Sequence, residues 1–139
     1  GELLHALKFA AERGVDVSII MPGIPDKKSA YYLAKTYYPT LLASGVKIYE
    51  YTPGFVHAKI FVSDNSRAVV GTINLDYRSL YHHFECATYL YRTSSVVFIE
   101  EDFQATKAKC HRVSVAEIEN LPFHQKALGL LTRLVAPLM

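Results

Sequence analysis

His57 and Lys59 lie two apart in the β-type run HAKIFVSD, and a second β-type run ends in Gly71-Thr72-Ile73-Asn74. The polar cluster Ser63-Asp64-Asn65-Ser66-Arg67 between them has the chemistry of a short turn. A two-residue turn centred on Asn65 and Ser66 predicts His57 opposite Asn74 and Lys59 opposite Thr72. Directly opposed residues of an antiparallel pair share a face, as do residues two apart on one strand. An imidazole, an ammonium, a hydroxyl and a carboxamide would then converge on one patch. Ala58, Ile60, Val62, Val69 and Ile73 would form the core side. The plain alternative is a satisfied polar sheet edge, but a sheet does not need this quartet for stability. The group has the character of an anion site with a nucleophile or base in it.

A phosphoester suits such a site. Lys59 offers a point charge to one phosphoryl oxygen, while Thr72 and Asn74 donate hydrogen bonds to others. His57 can attack through one ring nitrogen if an acceptor holds the second. Glu85, at the start of the next strand, is the candidate acceptor. Asp64 sits at the turn, too far along the strand to share the patch, and local hydrogen bonding is the job its position gives it.

The elements that must position these groups follow from periodicity. Leu3, Leu4, Leu7, Ala10 and Ala11 recur at helical spacing, with Gly14 as the stop. VDVSIIMP reads as a buried strand, residues 27–44 as a second helix closed by Gly45, and VKIYEY as the next strand. The two hairpin strands follow, then HFECATYLY as another strand. From Ser94 onward the pattern is helical. This rhythm predicts one α/β domain over residues 1–139, with a mixed central β-sheet flanked by α-helices on both faces.

The 139 residues suffice for one core, and half of them are apolar. A formal charge of +2 with scattered Lys and Arg argues against a nucleic-acid partner. Cys86 and Cys110 lack metal or redox spacing and suit buried thiols in a reducing compartment. His5, His82, His83, His111 and His124 show no ligand spacing, so no metal is assigned. No apolar run approaches the roughly 18 residues of a membrane span. The chain starts inside a helix pattern without an initiator Met, which predicts a piece of a longer protein.

His57-x-Lys59, Asp64 and Gly71-Thr72-x-Asn74 together resemble the HKD signature of the phospholipase D superfamily. Thr72 stands where members usually carry Ser, and the hydroxyl is kept. Glu85 matches, in its spacing from Asn74, the acidic residue that braces the family's histidine. The phrases ALKFAAERGVDVSIIMPG, LLASGVKIYEYTPGFVHAKIFVSD, GTINLDYRSLYHHFE and LTRLVAPLM are similar to the C-terminal half of bacterial cardiolipin synthases of this type.

The resemblance implies a phospholipase D-like fold, a catalytic set of His57, Lys59, Asp64 and Glu85, and phosphate binding by Lys59, Thr72 and Asn74. It also implies metal-independent chemistry through a phosphohistidine, with no cofactor. Such chemistry needs a second HKD motif, from the same longer chain or from a second copy, so a lone monomer is expected to be inactive. The implied substrate is phosphatidylglycerol, at the cytoplasmic side of a bacterial cell membrane. Alternatives are a homodimeric phosphodiesterase, nuclease or phospholipase D using the same site, and a non-catalytic half.

Further residues have two readings each. Tyr31, Tyr32, Tyr37 and Tyr38 could line a lipid entrance, although helix packing explains them more simply. Asp26, Lys27 and Lys28 follow a strand end, where they could meet a head group or simply be solvated. Asp76, Arg78 and Ser79 match a recurring family phrase that capping and local ion pairing would also explain. Leu128, Leu131, Leu134 and Val135 make one stripe, expected to be core or a dimer contact.

Overall fold

A computed structural model describes residues 1–76 and 78–135, with the side chains of Leu134 and Val135 outside that description. The described residues form six α-helices, six strands and one π-helical turn. They gather into two compact units, Gly1–Val56 with residues 110–135, and His57–Lys109.

In the first unit, α1 (Glu2–Glu12) leads through Gly14 to β1 (Ser18–Pro22). Gly14 (φ 92°) and Gly45 (φ 90°) both take the left-handed conformation that ends a helix at low steric cost. The helix expected over residues 27–44 is two, α2 (Lys28–Lys35) and α3 (Tyr38–Ala43). Pro39 is the reason: it has no N–H to offer the Lys35 carbonyl, and its ring crowds that turn. β2 (Lys47–Tyr51) runs parallel to β1, with Ile48 beside Ile19.

A short strand, β6 (Cys110–Arg112), pairs antiparallel with the other edge of β2. Sequence periodicity places residues 110–112 in a helical third, because three residues are too few to show an alternation. Tyr38, Leu41, Val46, Ile48, Val113 and Ile118 form the core here, and Ile48 is 1% exposed. Fully burying such a side chain contributes about 1.5–3 kcal/mol.

Ser114 caps α5 (Val115–Glu119): its hydroxyl accepts from Glu117 N, and Glu117 reaches back to Ser114 N in a capping box. α6 (Phe123–Val135) packs on α2, where Gly129 has no side chain to clash with Thr36 and the Tyr32 carbonyl. Of the stripe expected to be core or a dimer contact, Leu128 and Leu131 are exposed in the single chain, and the side chains of Leu134 and Val135 lie outside the described residues. The side packed on α2 is the one bearing Gly129, whose backbone comes close to Thr36 and the Tyr32 carbonyl. Tyr38 is core, which fits packing rather than a lipid entrance for that residue.

The second unit is an antiparallel sheet, β3 (Ile60–Ser63), β4 (Arg67–Gly71) and β5 (Ala87–Tyr91). Helix α4 (Ser94–Lys107) lies on one face, burying Val96. The strands thus join in two three-stranded sheets, the first of them mixed in direction. The chain is α/β, as its alternating elements imply. Cys86 is exposed and Cys110 half-buried, so the expectation of two buried thiols fails at Cys86.

Candidate functional site

The hairpin register differs by one residue from the expected one. Ser63 pairs with Arg67 and Ile60 with Val70. Three residues therefore fill the turn, not two. Asp64 (φ 53°) and Asn65 (φ 50°) both take the left-handed region, and Ser66 N closes the turn on Ser63 O at 3.1 Å. Short polar side chains tolerate that conformation, which is why the polar cluster can absorb an extra residue.

Lys59 consequently lies against Gly71, not Thr72, as the Gly71 N to Lys59 O bond of 3.2 Å shows. Gly71 in turn pairs with Ala87. Lys59, Gly71 and Ala87 thus form one row across three strands, with no side chain at its centre. The gap is obligatory: a Cβ at Gly71 would stand 2.3 Å from Cys86 O and 2.6 Å from Ala87 Cα.

After Gly71 the chain bends, and the bend supplies what direct opposition does not. Thr72 N donates to Cys86 O at 3.0 Å, and Cys86 N donates back to Thr72 Oγ1 at 3.1 Å. The Thr72 hydroxyl donates to Glu85 Oε2. Asn74 Nδ2 donates to Ser79 Oγ at 3.3 Å. On the other strand, Lys59 Nζ lies 2.9 Å from His57 Nδ1 and donates to His57 O at 2.9 Å. Two groupings result, His57 with Lys59 and Thr72 with Asn74, Ser79 and Glu85.

Glu85 is the acidic member of the second grouping. Its carboxyl is held below the usual carboxylate range, first by the hydrogen bond from Thr72 and then by one from Ser79. Partial burial opposes this, while the charges of His83 and Lys59 assist it. His83 Nδ1 is 4.0 Å from Glu85 Oε1. Lys59 thus lies against an imidazole, an arrangement suited to receiving an anion.

Asp64 stays at the turn, roughly 16 Å along the strand from Lys59. It accepts from Ser63 Oγ at 3.1 Å and faces Arg67 at 3.8 Å. Ser79 and His83 belong to the cluster but were not assigned to it from spacing. For Ser79 the signal was its place in the family phrase; His83 had none beyond its closeness to Glu85. Among the described residues no group of three His, Cys, Asp or Glu side chains could hold a metal ion.

The fold is that of phospholipase D. A phospholipase D family member from Salmonella typhimurium, Nuc, superposes with a TM-score of 0.69 over 81% of this chain and 73% of its own, at 21% identity. Residues 1–107 match the family model described as cardiolipin synthase, PLD-like domain, and the chain belongs to that family. A cardiolipin synthase from Alkalihalophilus pseudofirmus is 40% identical over 99% of this chain and 27% of its own length. An uncharacterised Streptococcus mutans protein is 62% identical over 99% of the chain and 30% of its own length. The chain thus spans less than a third of the length of these curated relatives.

Proposed function

We propose that residues 1–139 are one phospholipase D-like half of a two-motif phosphatidyltransferase that makes cardiolipin from phosphatidylglycerol. The observation that supports this is Lys59 Nζ 2.9 Å from His57 Nδ1, at the edge of a sheet row kept open by Gly71. A phosphodiester anion entering there draws the Lys59 ammonium onto a phosphoryl oxygen and frees His57 Nδ1. Thr72 and Asn74 supply neutral donors, and Glu85 is the carboxylate that steadies the imidazole. Asp64 supports the hairpin rather than the reacting atoms.

In-line displacement puts nucleophile and leaving group on opposite sides of phosphorus. One histidine forms the N–P bond as the bond from phosphorus to the glycerol oxygen breaks, and a second histidine gives that oxygen its proton. The hydroxyl of a second phosphatidylglycerol then loses a proton to the second histidine and attacks phosphorus, breaking the N–P bond. His57 fills one of these roles. The other comes from a second HKD motif, in the same longer chain or in a second copy, so a lone copy of this half is inactive. No cofactor or metal enters these steps. The lipid substrate places the reaction at a membrane surface, on the cytoplasmic side of a bacterial cell.

Full-length protein incubated with labelled phosphatidylglycerol vesicles tests the proposal. Cardiolipin and free glycerol in equal amounts are expected. Release of phosphatidic acid without cardiolipin would replace the transferase by a hydrolase.

A further inference from the structure

The side of α6 that packs on α2 is its less apolar one. Gln125, Gly129 and Thr132 recur there at i, i+4 and i+7. Gly129 and Thr132 are buried, and the Thr132 hydroxyl donates to Gly129 O at 2.8 Å. Phe123, Leu130 and Leu131, at i, i+7 and i+8, take the opposite side, and Leu128 borders them. Phe123 is 85% exposed, Leu131 63%, Leu130 60% and Leu128 42%, with exposed His124 as the polar residue within that arc. Most of a helix's stability in a protein comes from burying its apolar side. An apolar side turned to water therefore points to an occupant.

Charge selects the occupant. From Leu121 to Met139 the sequence carries Lys126 and Arg133 and no Asp or Glu. Both cations flank the outward side, and both rest on neutral groups. Lys126 Nζ donates to Glu119 O at 2.6 Å, and Arg133 lies 4.9 Å from the centre of the Tyr37 ring. Two copies joined antiparallel through this side would bring Lys126 and Arg133 of one against those of the other, like charge against like. A surface of anionic lipid meets both with opposite charge.

We propose that α6 docks on an anionic lipid surface, with Phe123, Leu130 and Leu131 entering the acyl boundary and Lys126 and Arg133 at the level of the phosphates. The choice of lipid rests on the function proposed above. With 13 residues the helix is about 20 Å long against a hydrocarbon core of about 30 Å, so it lies in the plane of the surface rather than across it.

The test irradiates full-length protein carrying the photoreactive amino acid p-benzoylphenylalanine in place of Leu130, on vesicles of phosphatidylglycerol mixed with phosphatidylcholine. Mass spectrometry then identifies what the α6 peptide has captured. A phospholipid adduct is expected. Capture of a second copy or of another segment of the same chain, with no lipid adduct, would overturn the proposal. On phosphatidylcholine alone, and with Lys126→Gln/Arg133→Gln on the mixed vesicles, the lipid yield should fall about five-fold or more. Equal yields would overturn the anionic preference. Leu131 is the second probe position if the Leu130 variant does not fold, with the same outcomes. The readout needs no turnover: lipid adducts without cardiolipin formation would refute the proposed transfer and leave the docking standing, and cardiolipin formation without lipid adducts would do the reverse.

Discussion

Replacing Gly71 by Ala tests the geometry of the site with a single methyl group. The added Cβ would meet Cys86 O at 2.3 Å, Ala87 Cα at 2.6 Å and Ala87 Cβ at 2.7 Å. Ordinary contacts between such atoms start at about 3.3–3.5 Å, so β5 must retreat by roughly 1 Å. These are backbone and Cβ atoms of a paired strand and cannot swing aside as a long side chain would. Overpacking of this kind costs about 1–3 kcal/mol. The two bonds joining Thr72 and Cys86, at 3.0 and 3.1 Å, are loosened as well, at about 0.5–1.5 kcal/mol each. The expected loss is ~2–6 kcal/mol, measured by denaturant unfolding of the full-length protein. Glu85 is carried along by the same displacement, and a 1 Å misplacement can lower turnover about 10²-fold. Gly54→Ala is the control, since nothing lies within 4 Å of the added carbon; it should stay within about 0.5 kcal/mol of wild type. Gly71→Ala with wild-type stability and turnover would refute the close-approach argument.

Other outcomes are specific enough to check. Ile48→Ala, at 1% exposure in the first core, should cost about 2–5 kcal/mol in denaturant unfolding. Ser114→Ala removes the side-chain cap of α5 and should cost about 1 kcal/mol. Glu117 is held below the ordinary carboxylate range by Ser114 N, then the Ser114 hydroxyl, then His111. A depressed folded pKa means its stabilisation is present above the unfolded value and lost as pH falls through the folded one. Thermal melts should therefore show Glu117→Gln flattening the acid decline below about pH 4.3. Thr72→Val should lower kcat by removing one donor to Glu85, while Thr72→Ser retains it.

Much of this molecule is legible in its sequence because period and punctuation speak locally. Gly14 and Gly45 mark real helix ends, and Leu4 and Leu7 face the first core as their spacing implies. What failed depends on information outside the local pattern. The extra turn residue changed the hairpin register because Asp64 and Asn65 accept a left-handed backbone, a choice the polar cluster leaves open. β6 is too short to show alternation and exists because it pairs with β2. Leu128 and Leu131 form a proper helical stripe, yet periodicity does not say which side of α6 meets α2. At the site, the resemblance to the HKD signature supplied the residue types, and the hydrogen bonding of Ser79 came from coordinates alone. The convergence of Thr72 on Glu85 depends on a bend after β4 rather than on strand pairing.

The central claim is that His57, backed by Lys59 and Glu85, reacts with the phosphodiester. Conversion of labelled phosphatidylglycerol by full-length protein carrying His57→Ala addresses it most directly. Cardiolipin formation should fall to the protein-free background, about 10³-fold or more below wild type, with the fold intact by circular dichroism. Turnover within ten-fold of wild type in a well-folded His57→Ala protein would contradict the account.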